Sequence, residues 1–282
     1  MSVLVTGAGG GIGRVVVAEL VAHGHAVVAL DRAGASVTAG DGGAQRVHVG
    51  DCRDAEVVRA AMTGVEAVVH LAGVPRPDLV PDAELFAGNT QATFTVLDEA
   101  VRAGVRRIAT ASSVSALGLA WGSGAMSPLY VPIDASHPLR PEEAYALAKQ
   151  VDEATEEMFC RRHGVTVVAL RFPFTDTAEA IAERAALVAQ DPLEASKELW
   201  AYLDVRDAAR ACRLVVETDV PAGFHPLYVV ADDTLASLPT EQLVRRFHPR
   251  TELREPLPDR GTAYDTAAAA SLLGFRAAHP RG

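Results

Sequence analysis

A glycine-rich loop near the start of the chain constrains the fold more than any other feature. It reads Thr6-Gly7-Ala8-Gly9-Gly10-Gly11-Ile12-Gly13, and it joins an apolar run at 3–6 to a helix-spaced run at 14–23. Glycines spaced in this way let the backbone turn tightly and approach a pyrophosphate, which then rests on the helix N-terminus. Because the loop follows a predicted strand and opens a predicted helix, it predicts a dinucleotide-binding site.

The glycines of this loop allow two spacings. Gly7, Gly10 and Gly13 form one set, and Gly7, Gly11 and Gly13 form another. Either set provides a tight turn beside a phosphate. The candidate cofactor-binding residues of the loop are therefore Gly7, Gly10, Gly11, Ile12 and Gly13.

Strands and helices alternate through the first 175 residues. Further strands are predicted at 25–30, 46–49, 67–71, 107–111 and 165–171, with helices at 54–62, 81–103 and 141–163. The strands are rich in Val, Ile and Leu, as burial on both faces requires. The alternation predicts an α/β fold with a doubly wound parallel sheet of the Rossmann type. We also expect Asp54 to cap its helix, Pro141 to lie in the first turn of its helix and Gly164 to end that helix.

The alternation becomes less regular after residue 175. Helices are predicted at 177–190, 205–216, 240–247 and 264–273, strands at 200–203 and 227–230, and loops at 40–43 and 121–128. The remaining segment is too short for an independent core. We therefore expect residues 1–175 to form the dinucleotide-binding domain and residues 176–282 to form a small substrate-covering lobe, interleaved with the end of the sheet.

The composition argues against several classes of partner. The net charge is −10, whereas nucleic acids and anionic membranes attract a basic face. No run of about 18 apolar residues is present, so no membrane span is expected, and Ser2 leads directly into the first strand without a signal peptide. Cys52, Cys160 and Cys212 are too scattered for a disulfide framework or a zinc site. We expect a cytoplasmic protein without a dedicated metal site.

Asp31, at the end of the second predicted strand, bears on the choice of dinucleotide. A carboxylate there can accept hydrogen bonds from both adenosine ribose hydroxyls and repels a 2′-phosphate, which favours NAD over NADP. The alternative is an aspartate that caps a turn. The neighbouring Arg32 also allows the opposite preference, because an arginine can pair with a 2′-phosphate.

The ends of the third and fourth predicted strands add weaker candidates. Asp51 and Cys52 follow the third strand, where an aspartate can bond the adenine amine. Leu71, Ala72 and Gly73 follow the fourth strand, and these small or apolar residues leave room for the adenosine half of the cofactor.

Tyr145 and Lys149 are the central catalytic candidates. Their i, i+4 spacing places them on one face of a predicted helix. A neighbouring ammonium favours a phenolate, which can act as a general acid–base, and the lysine can also hold the nicotinamide ribose. The alternative is a coincidental surface pair. Only two of the 26 basic residues are lysines, Lys149 and Lys197, so Lys149 stands where a compact point charge is required.

The fifth predicted strand ends in a run of serines. Ser113 is the first choice for a hydroxyl that bonds the substrate oxygen, with Ser112 and Ser115 as structural alternatives, because ligands bind at the carboxyl ends of such strands. Arg171, at the end of the sixth predicted strand, has two equal interpretations. It binds a substrate carboxylate or phosphate, or it braces the strand end through a Glu or Asp.

Taken together, these motifs resemble the extended short-chain dehydrogenase/reductase superfamily, in its NAD-dependent epimerase/dehydratase family. The resembling motifs are Thr6-Gly7-x-x-Gly10-x-x-Gly13, Asp31, Asp51, His70-Leu71-Ala72-Gly73, Asn89, Ser112-Ser113, Tyr145-x-x-x-Lys149 and Arg171-Phe172-Pro173. The resemblance implies that Ser113, Tyr145 and Lys149 are catalytic. It also implies that Pro173 touches the nicotinamide carboxamide, that Asn89 reaches the site from its helix, and that the helices at 81–103 and 141–163 form a homodimer interface.

Departures from the family patterns narrow the expected activity. Val114-Ser115-Ala116 replaces the Asp-Glu pair of the dehydratases, and Pro173-Phe174-Thr175-Asp176 replaces the Asn-x-Tyr-Gly-Pro type of segment typical of nucleotide-sugar epimerases. We therefore expect an NAD-dependent oxidoreductase that acts on a secondary hydroxyl of a sugar, sugar acid or similar alcohol. The alternatives are a nucleotide-sugar epimerase that retains NAD as a bound cofactor and a non-catalytic dinucleotide-sensing protein.

Overall fold

The computed structural model describes residues 1–32, 43–122 and 126–281, and within them seven parallel strands form one central sheet. Residues 40–42 and 123–125 of the two expected loops lie outside the described ranges. In chain order the strands are β1 (Ser2–Thr6), β2 (Ala26–Asp31), β3 (Arg46–Val49), β4 (Ala67–His70), β5 (Arg107–Ser113), β6 (Tyr130–Val131), β7 (Thr166–Phe172), β8 (Phe174–Asp176), β9 (Tyr202–Asp204), β10 (Gly223–Tyr228) and β11 (Glu252–Leu253).

The order of strands in the central sheet is β10-β7-β5-β4-β1-β2-β3, which confirms the doubly wound parallel sheet. The chain runs outwards in one direction from β1 to β3 and in the other direction from β4 to β10. The strand order therefore reverses between β1 and β4. In open α/β sheets ligands bind at this reversal, outside the carboxyl ends of the strands.

Helices cover both faces of the sheet. They are α1 (Gly11–Ala22), α2 (Ala55–Ala61), α3 (Asp82–Arg102), α4 (Ala144–His163), α5 (Ala178–Gln190), α6 (Val205–Glu217), α7 (Thr240–Phe247) and α8 (Ala267–Leu273), with 3₁₀ helices at Val114–Leu117 and Pro192–Glu198. Helices α1 and α6 pack together on one face, and α2, α3 and α4 lie on the other. None of the helices in the described ranges is long and apolar enough to cross a membrane.

Alternate residues of β1 explain why the strand is apolar throughout. Val3 and Val5 pack into the core beneath α1 and α6, whereas Leu4 packs into the core beneath α2, α3 and α4. Successive side chains of a strand point to opposite faces, and here both faces are dry. The sheet thus holds the carboxyl ends of β1, β4 and β5 rigidly beside one another.

Residues after 176 contribute to more than one part of the molecule. Strand β10 joins the central sheet beside β7, and β9 pairs with β8. A further apolar cluster joins Ile181, Trp200 and Leu243 of this segment to Val131 and Leu117 of the preceding one. The C-terminal segment therefore packs over the carboxyl edge of the sheet and also completes the sheet itself.

The helix boundaries show where local signals decide the structure. Asp54 caps α2 as predicted, since its carboxylate accepts hydrogen bonds from the N–H groups of Glu56 and Val57. Gly164 ends α4 in a left-handed conformation with φ 64°. The prediction for Pro141 was wrong, because α4 begins at Ala144, where the Glu143 carboxylate caps the first turn.

Candidate active site

The glycine loop forms a cradle whose walls are backbone. Gly7 has φ +66°, and a Cβ added there would lie 2.8 Å from the backbone of Leu71 and Ala72. A Cβ added at Gly13 would lie 2.0 Å from the carbonyl oxygen of Gly7. Gly10 caps α1 and donates its N–H to the same oxygen at 3.0 Å. The loop can therefore bring backbone N–H groups and the N-terminus of α1 close to a phosphate.

The two glycine spacings are not equivalent in this cradle. A Cβ at Gly10 would lie 3.2 Å from the Gly7 oxygen, whereas a Cβ at Gly11 meets nothing within 4 Å. The packing is therefore tighter at Gly7, Gly10 and Gly13 than at Gly11. Ile12 points towards the core and contacts the cluster beneath α1.

We expect Gly13→Ala to raise the Kd for NAD more than tenfold, because its Cβ would push the start of α1 away from the loop. Gly11→Ala is the matched control, since its Cβ enters open space. Calorimetric titration with NAD, with thermal unfolding of each variant, measures the effect. Equal NAD affinity in both variants would show that the cradle tolerates displacement.

Asp31 is held against the glycine loop at the end of β2. Its Oδ2 accepts a hydrogen bond from Gly9 N at 2.7 Å, and its Oδ1 accepts one from Arg32 N at 2.7 Å. The residue thus caps the turn, as the alternative interpretation held. Each carboxylate oxygen can still accept a second hydrogen bond, so the turn-capping role leaves room for ribose hydroxyls. Arg32 is exposed at the edge of this turn.

The residues after β3 are less open to a ligand than the sequence suggests. Arg53 forms a bidentate ion pair with Asp51, with Nη2–Oδ2 at 2.6 Å and Nε–Oδ1 at 3.0 Å, and this contact lowers the pKa of Asp51. Burial raises the pKa of the Cys52 thiol to about 12, so this side chain stays protonated and apolar in character. Cys52 packs in the core with Cys160, and Cys212 is also buried, all as free thiols.

The loop after β4 is organised by a buried polar network that the sequence analysis missed. Thr6 Oγ1 lies 2.7 Å from His70 Nδ1 and accepts the N–H groups of Leu71 and Ala72 at 3.2 and 3.3 Å. His70 Nε2 lies 3.4 Å from the Thr93 hydroxyl. Burial lowers the pKa of His70 to about 3, so its ring is neutral.

Asn89 is hydrogen-bonded to the loop that follows β4. Its Oδ1 accepts the Val74 N–H at 2.8 Å, and its Nδ2 donates to the Val74 carbonyl at 3.1 Å. A Cβ at Gly73 would lie 3.2 Å from the same Oδ1. Both polar atoms of the amide therefore hold the loop, and cofactor binding by Asn89 stays a prediction.

The three serines at the end of β5 differ in their hydrogen bonds and surroundings. Ser113 Oγ accepts the Ser115 N–H at 3.0 Å and caps the 3₁₀ helix at Val114–Leu117, so its own proton can be donated elsewhere. Ser112 donates to Glu153 at 2.6 Å, which directs it into the protein interior. Ser115 is buried within the 3₁₀ helix. Ser113 lies opposite Phe172 in the sheet, so Pro173 follows at the same edge.

Tyr145 and Lys149 lie together on the buried face of α4. Tyr145 packs against Leu85 and Ala148, and Lys149 Nζ is 5.8 Å from the centre of the Tyr145 ring. Lys149 Nζ donates to the Ala111 carbonyl of β5 at 2.6 Å, and its side chain is 13% exposed. The pair is therefore not an incidental surface pair. It is tied to the strand that ends in Ser113.

The charge state of Lys149 is set by opposing effects. Burial alone would lower its pKa, but the negative charges of ionised Tyr145, Asp152, Glu156 and Glu153 outweigh burial and raise it. Lys149 Nζ lies 3.9 Å from Asp152 Oδ2. Lys149 therefore carries its positive charge beside the Tyr145 ring.

Arg171 follows the bracing interpretation, and its assignment to the substrate is corrected. Its Nε and Nη2 donate to the Glu153 carboxylate at 2.9 and 2.7 Å, and its Nη1 donates to Tyr228 OH at 3.0 Å. The side chain is 4% exposed. A guanidinium engaged in this way has no face directed towards a substrate.

Acidic side chains on the buried face of α4 also escaped the sequence analysis. Asp152, Glu153 and Glu156 are all buried there. Burial, together with the neighbouring charges of Asp152 and Glu153, raises the pKa of Glu156 to about 8 against the opposing effect of Lys149. Within the described ranges, no group of three His, Cys, Asp or Glu residues is arranged to hold a metal ion.

The pKa of Glu156 predicts a pH-dependent loss of stability. Its pKa is 4.5 in the unfolded chain and about 8 in the folded one, so the folded state holds the extra proton between these values. Stability therefore falls as the pH rises through this window. We expect Glu156→Gln to raise the free energy of unfolding by about 2–4 kcal/mol above pH 8 and to change it little below pH 4.5.

Denaturant unfolding at both ends of the window measures this difference. Glu157→Gln is the control, because Glu157 is exposed and pairs with Arg161 on the outer face of α4. A gain for Glu156→Gln that is equal at both pH values would contradict a buried, protonated Glu156.

Known proteins resemble this chain across most of its length. The model of the NAD dependent epimerase/dehydratase family matches residues 3–230. NAD-dependent glucose-6-phosphate dehydrogenase of Haloferax volcanii is 33% identical over 176 residues, 60% of this chain and 66% of that protein. L-arabinose 1-dehydrogenase (NAD(P)(+)) of the same organism is 28% identical over 258 residues, 88% of this chain and 96% of that protein.

A solved structure shows the same fold. A short-chain dehydrogenase/reductase superfamily protein from Agrobacterium tumefaciens, with bound NAD, has a TM-score of 0.74 at 24% identity, covering 100% of this chain and 94% of that chain. The motifs, the sheet order and the family match agree with one another. The chain therefore belongs to the NAD-dependent epimerase/dehydratase family.

Proposed function

We propose that this chain is an NAD-dependent oxidoreductase that oxidises a secondary hydroxyl of a sugar, sugar acid or similar alcohol. The observation that carries the proposal is the hydrogen bond of 2.6 Å between Lys149 Nζ and the Ala111 carbonyl. It ties the Tyr145–Lys149 face of α4 to the strand that ends in Ser113. That strand end lies at the same edge of the sheet as the glycine cradle after β1.

The residues present fit a dinucleotide. The cradle of Gly7, Gly10 and Gly13 is closed by backbone that any Cβ at Gly7 or Gly13 would strike. In this proposal Asp31 binds the adenosine ribose, which favours NAD, and Lys149 and Pro173 contact the nicotinamide half. When bound, NAD supplies the acceptor for the hydride that leaves the carbon bearing the hydroxyl.

The protein's own residues manage the proton. Tyr145, as a phenolate, takes the proton of the substrate hydroxyl, and the Lys149 ammonium stabilises that phenolate. Ser113 donates a hydrogen bond to the substrate oxygen. Its Oγ is fixed for this purpose by the Ser115 N–H at 3.0 Å. Burial of Tyr145 and Lys149 keeps water from competing for these contacts.

The proposed substrate class is supported by the names of two relatives and by the residues that follow β7. The two Haloferax volcanii relatives are named for glucose 6-phosphate and L-arabinose, and the first is covered by this chain over 66% of its length. Pro173-Phe174-Thr175-Asp176 stands where nucleotide-sugar epimerases carry their own segment. We therefore favour a sugar or sugar acid without a nucleotide.

A substrate panel with NAD tests this proposal. Uronates, aldoses, sugar phosphates and nucleotide sugars are incubated with NAD, and NADH release is followed with the stereochemistry of the product. We expect NADH to accumulate with one of the sugars that carries no nucleotide. An inverted nucleotide sugar without net NADH would indicate an epimerase, and tight NAD binding without any turnover would indicate a sensing protein.

The role of residues 176–282, the oligomeric state and the cellular location are each proposed from a separate observation. Residues 176–282 would cover the substrate, since they pack over the carboxyl edge of the sheet.

A homodimer through α3 and α4 is supported by Phe94 and Leu147, apolar side chains of these helices that are 49% and 41% exposed. A sedimentation mass of one chain at micromolar concentration would contradict the dimer. The free buried thiols are consistent with a cytoplasmic protein.

A further inference from the structure

Glu153 lies on the same helical face as the proposed catalytic pair. It follows Tyr145 by two turns and Lys149 by one turn of α4, and it is 4% exposed. Its carboxylate accepts hydrogen bonds from Ser112 Oγ at 2.6 Å and from Arg171 at 2.9 and 2.7 Å. A buried carboxylate with this many charge-assisted partners has one fixed orientation.

The partners of Glu153 belong to two neighbouring strands, and Arg171 connects them to a third. Ser112 is in β5, Arg171 is opposite it in β7, and Tyr228 is opposite Arg171 in β10. Arg171 donates to Tyr228 OH at 3.0 Å, and its guanidinium lies 5.0 Å from the centre of the Tyr228 ring. One carboxylate on α4 is thereby fixed to the carboxyl ends of two strands and, through Arg171, to a third.

These contacts adjoin the atoms of the proposed reaction. Ser112 stands between Ala111, whose carbonyl accepts a hydrogen bond from Lys149 Nζ, and Ser113, whose hydroxyl is assigned to the substrate oxygen in the proposed function. Tyr145 and Ser113 lie on different elements, so their separation depends on how α4 sits on β5. A displacement of about 1 Å between reacting groups can cost about 10²-fold in rate.

We propose that Glu153, paired with Arg171 and bonded to Ser112, is the positioning residue that fixes α4 on the end of β5, so that Tyr145, Lys149 and Ser113 act on one hydroxyl. The proposal rests on the proposed function for its kinetic consequences. Whether the hydrogen bond between Lys149 and the Ala111 carbonyl depends on Glu153 can be measured without turnover.

The test replaces Glu153 and Arg171 together, so that neither charge is left buried without its partner. Glu153→Gln would leave the Arg171 guanidinium unpaired and could prevent folding, whereas apolar residues of similar volume often replace a buried pair without loss. The variants are therefore Glu153→Met/Arg171→Met and the milder Ser112→Ala, which keeps the ion pair. The control is Arg59→Met/Glu99→Met, because Arg59 and Glu99 form an equally bidentate pair between α2 and α3.

Two readouts are measured on each folded variant. With turnover, we expect kcat to fall about 10²-fold in the double variant and about tenfold in Ser112→Ala, with KM and the Kd for NAD changed less than about twofold. Without turnover, ¹⁵N-lysine labelling gives ammonium signals for Lys149 and Lys197. We expect faster proton exchange at Lys149 in both variants, because its bond to Ala111 is weakened, while Lys197, bonded to Gly122 O at 2.7 Å, is unchanged.

The readouts separate this proposal from the proposed function. Normal Lys149 exchange, or normal kcat, in the folded double variant overturns the positioning role even if the wild type is an active dehydrogenase. Faster Lys149 exchange in the variants, together with a wild type that turns over none of the substrates, supports the positioning role and rejects the proposed function. An equal loss of kcat in the Arg59–Glu99 control would show that the effect comes from a general loss of stability, and it would also overturn the proposal.

Discussion

Replacement of Tyr145 by Phe is expected to lower kcat about 10³-fold while NAD affinity is retained. The phenyl ring preserves the packing against Leu85 and Ala148, and the residue is only 6% exposed, so the fold keeps its core contact. What is lost is the oxygen that takes the substrate proton. Initial rates of NADH formation and calorimetric titration with NAD measure the two effects separately.

Tyr130→Phe is the matched control for this variant. The Tyr130 hydroxyl is bonded to Asp134 at 2.9 Å and lies 3.2 Å from Ser136 Oγ, both within its own turn. Its removal also deletes a phenol oxygen from a buried ring, so it controls for the loss of a hydroxyl as such. Full activity in Tyr145→Phe, or an equal loss in Tyr130→Phe, would remove Tyr145 from the reaction.

The sheet was predictable because burial on both faces leaves a signal in every strand. Val3, Leu4 and Val5 are all apolar although they face opposite layers, and the glycine loop that follows marks where the ligand edge begins. Helices with their own caps were also predictable. Asp54 and Gly164 satisfy the ends of α2 and α4 with residue types that act locally.

The start of α4 was not predictable from the same rules. Pro141 is a typical first-turn residue, but the backbone at 140 is held by a hydrogen bond to the Leu117 carbonyl. A Cβ at Gly118 would lie 1.9 Å from the Arg140 carbonyl, which shows how closely the two segments approach. Helix α4 begins after this contact, at Ala144, where the Glu143 side chain caps it. Glutamate is not among the preferred capping residues, so the sequence did not indicate this start.

The polar interior of the site was missed because charged residues on a helix usually indicate a solvent face. Asp152, Glu153 and Glu156 are nevertheless buried, since Lys149, Arg171 and Ser112 meet them inside. One signal was available in the sequence. Tyr145, Lys149 and Glu153 fall at i, i+4 and i+8, so a face already assigned to catalysis carried the carboxylate as well.

Arg171 shows the complementary error, and Asn89 shows the same choice of a partner within the protein. Both have side chains that recognise ligands well, and both lie near the carboxyl edge of the sheet. The structure directs the Asn89 amide to the Val74 backbone and the Arg171 guanidinium to Glu153. Partner choice among buried polar groups depends on contacts between residues far apart in sequence, which spacing along one chain segment does not contain.

Lys149→Arg is expected to lower kcat/KM about 10²-fold even though it keeps the charge. Lys149 Nζ reaches the Ala111 carbonyl at 2.6 Å from a side chain that is 13% exposed, beside Tyr145 and Asp152. A planar guanidinium is wider than an ammonium and distributes its charge over three nitrogens, so it cannot take the same point position. Initial rates with NAD and the substrate found in the panel measure the loss.

Lys197→Arg provides the contrast within the same chain, because these are its only two lysines. Lys197 Nζ makes one hydrogen bond, to the Gly122 carbonyl at 2.7 Å, from a half-buried position on the 3₁₀ helix at Pro192–Glu198. An arginine can donate to a single carbonyl from such a position, so kcat/KM is expected to stay within about twofold. Equal tolerance at both sites would mean that the rarity of lysine in this arginine-rich chain is only a bias of composition. A loss confined to Lys149 would mean that an ammonium is retained there for its chemistry.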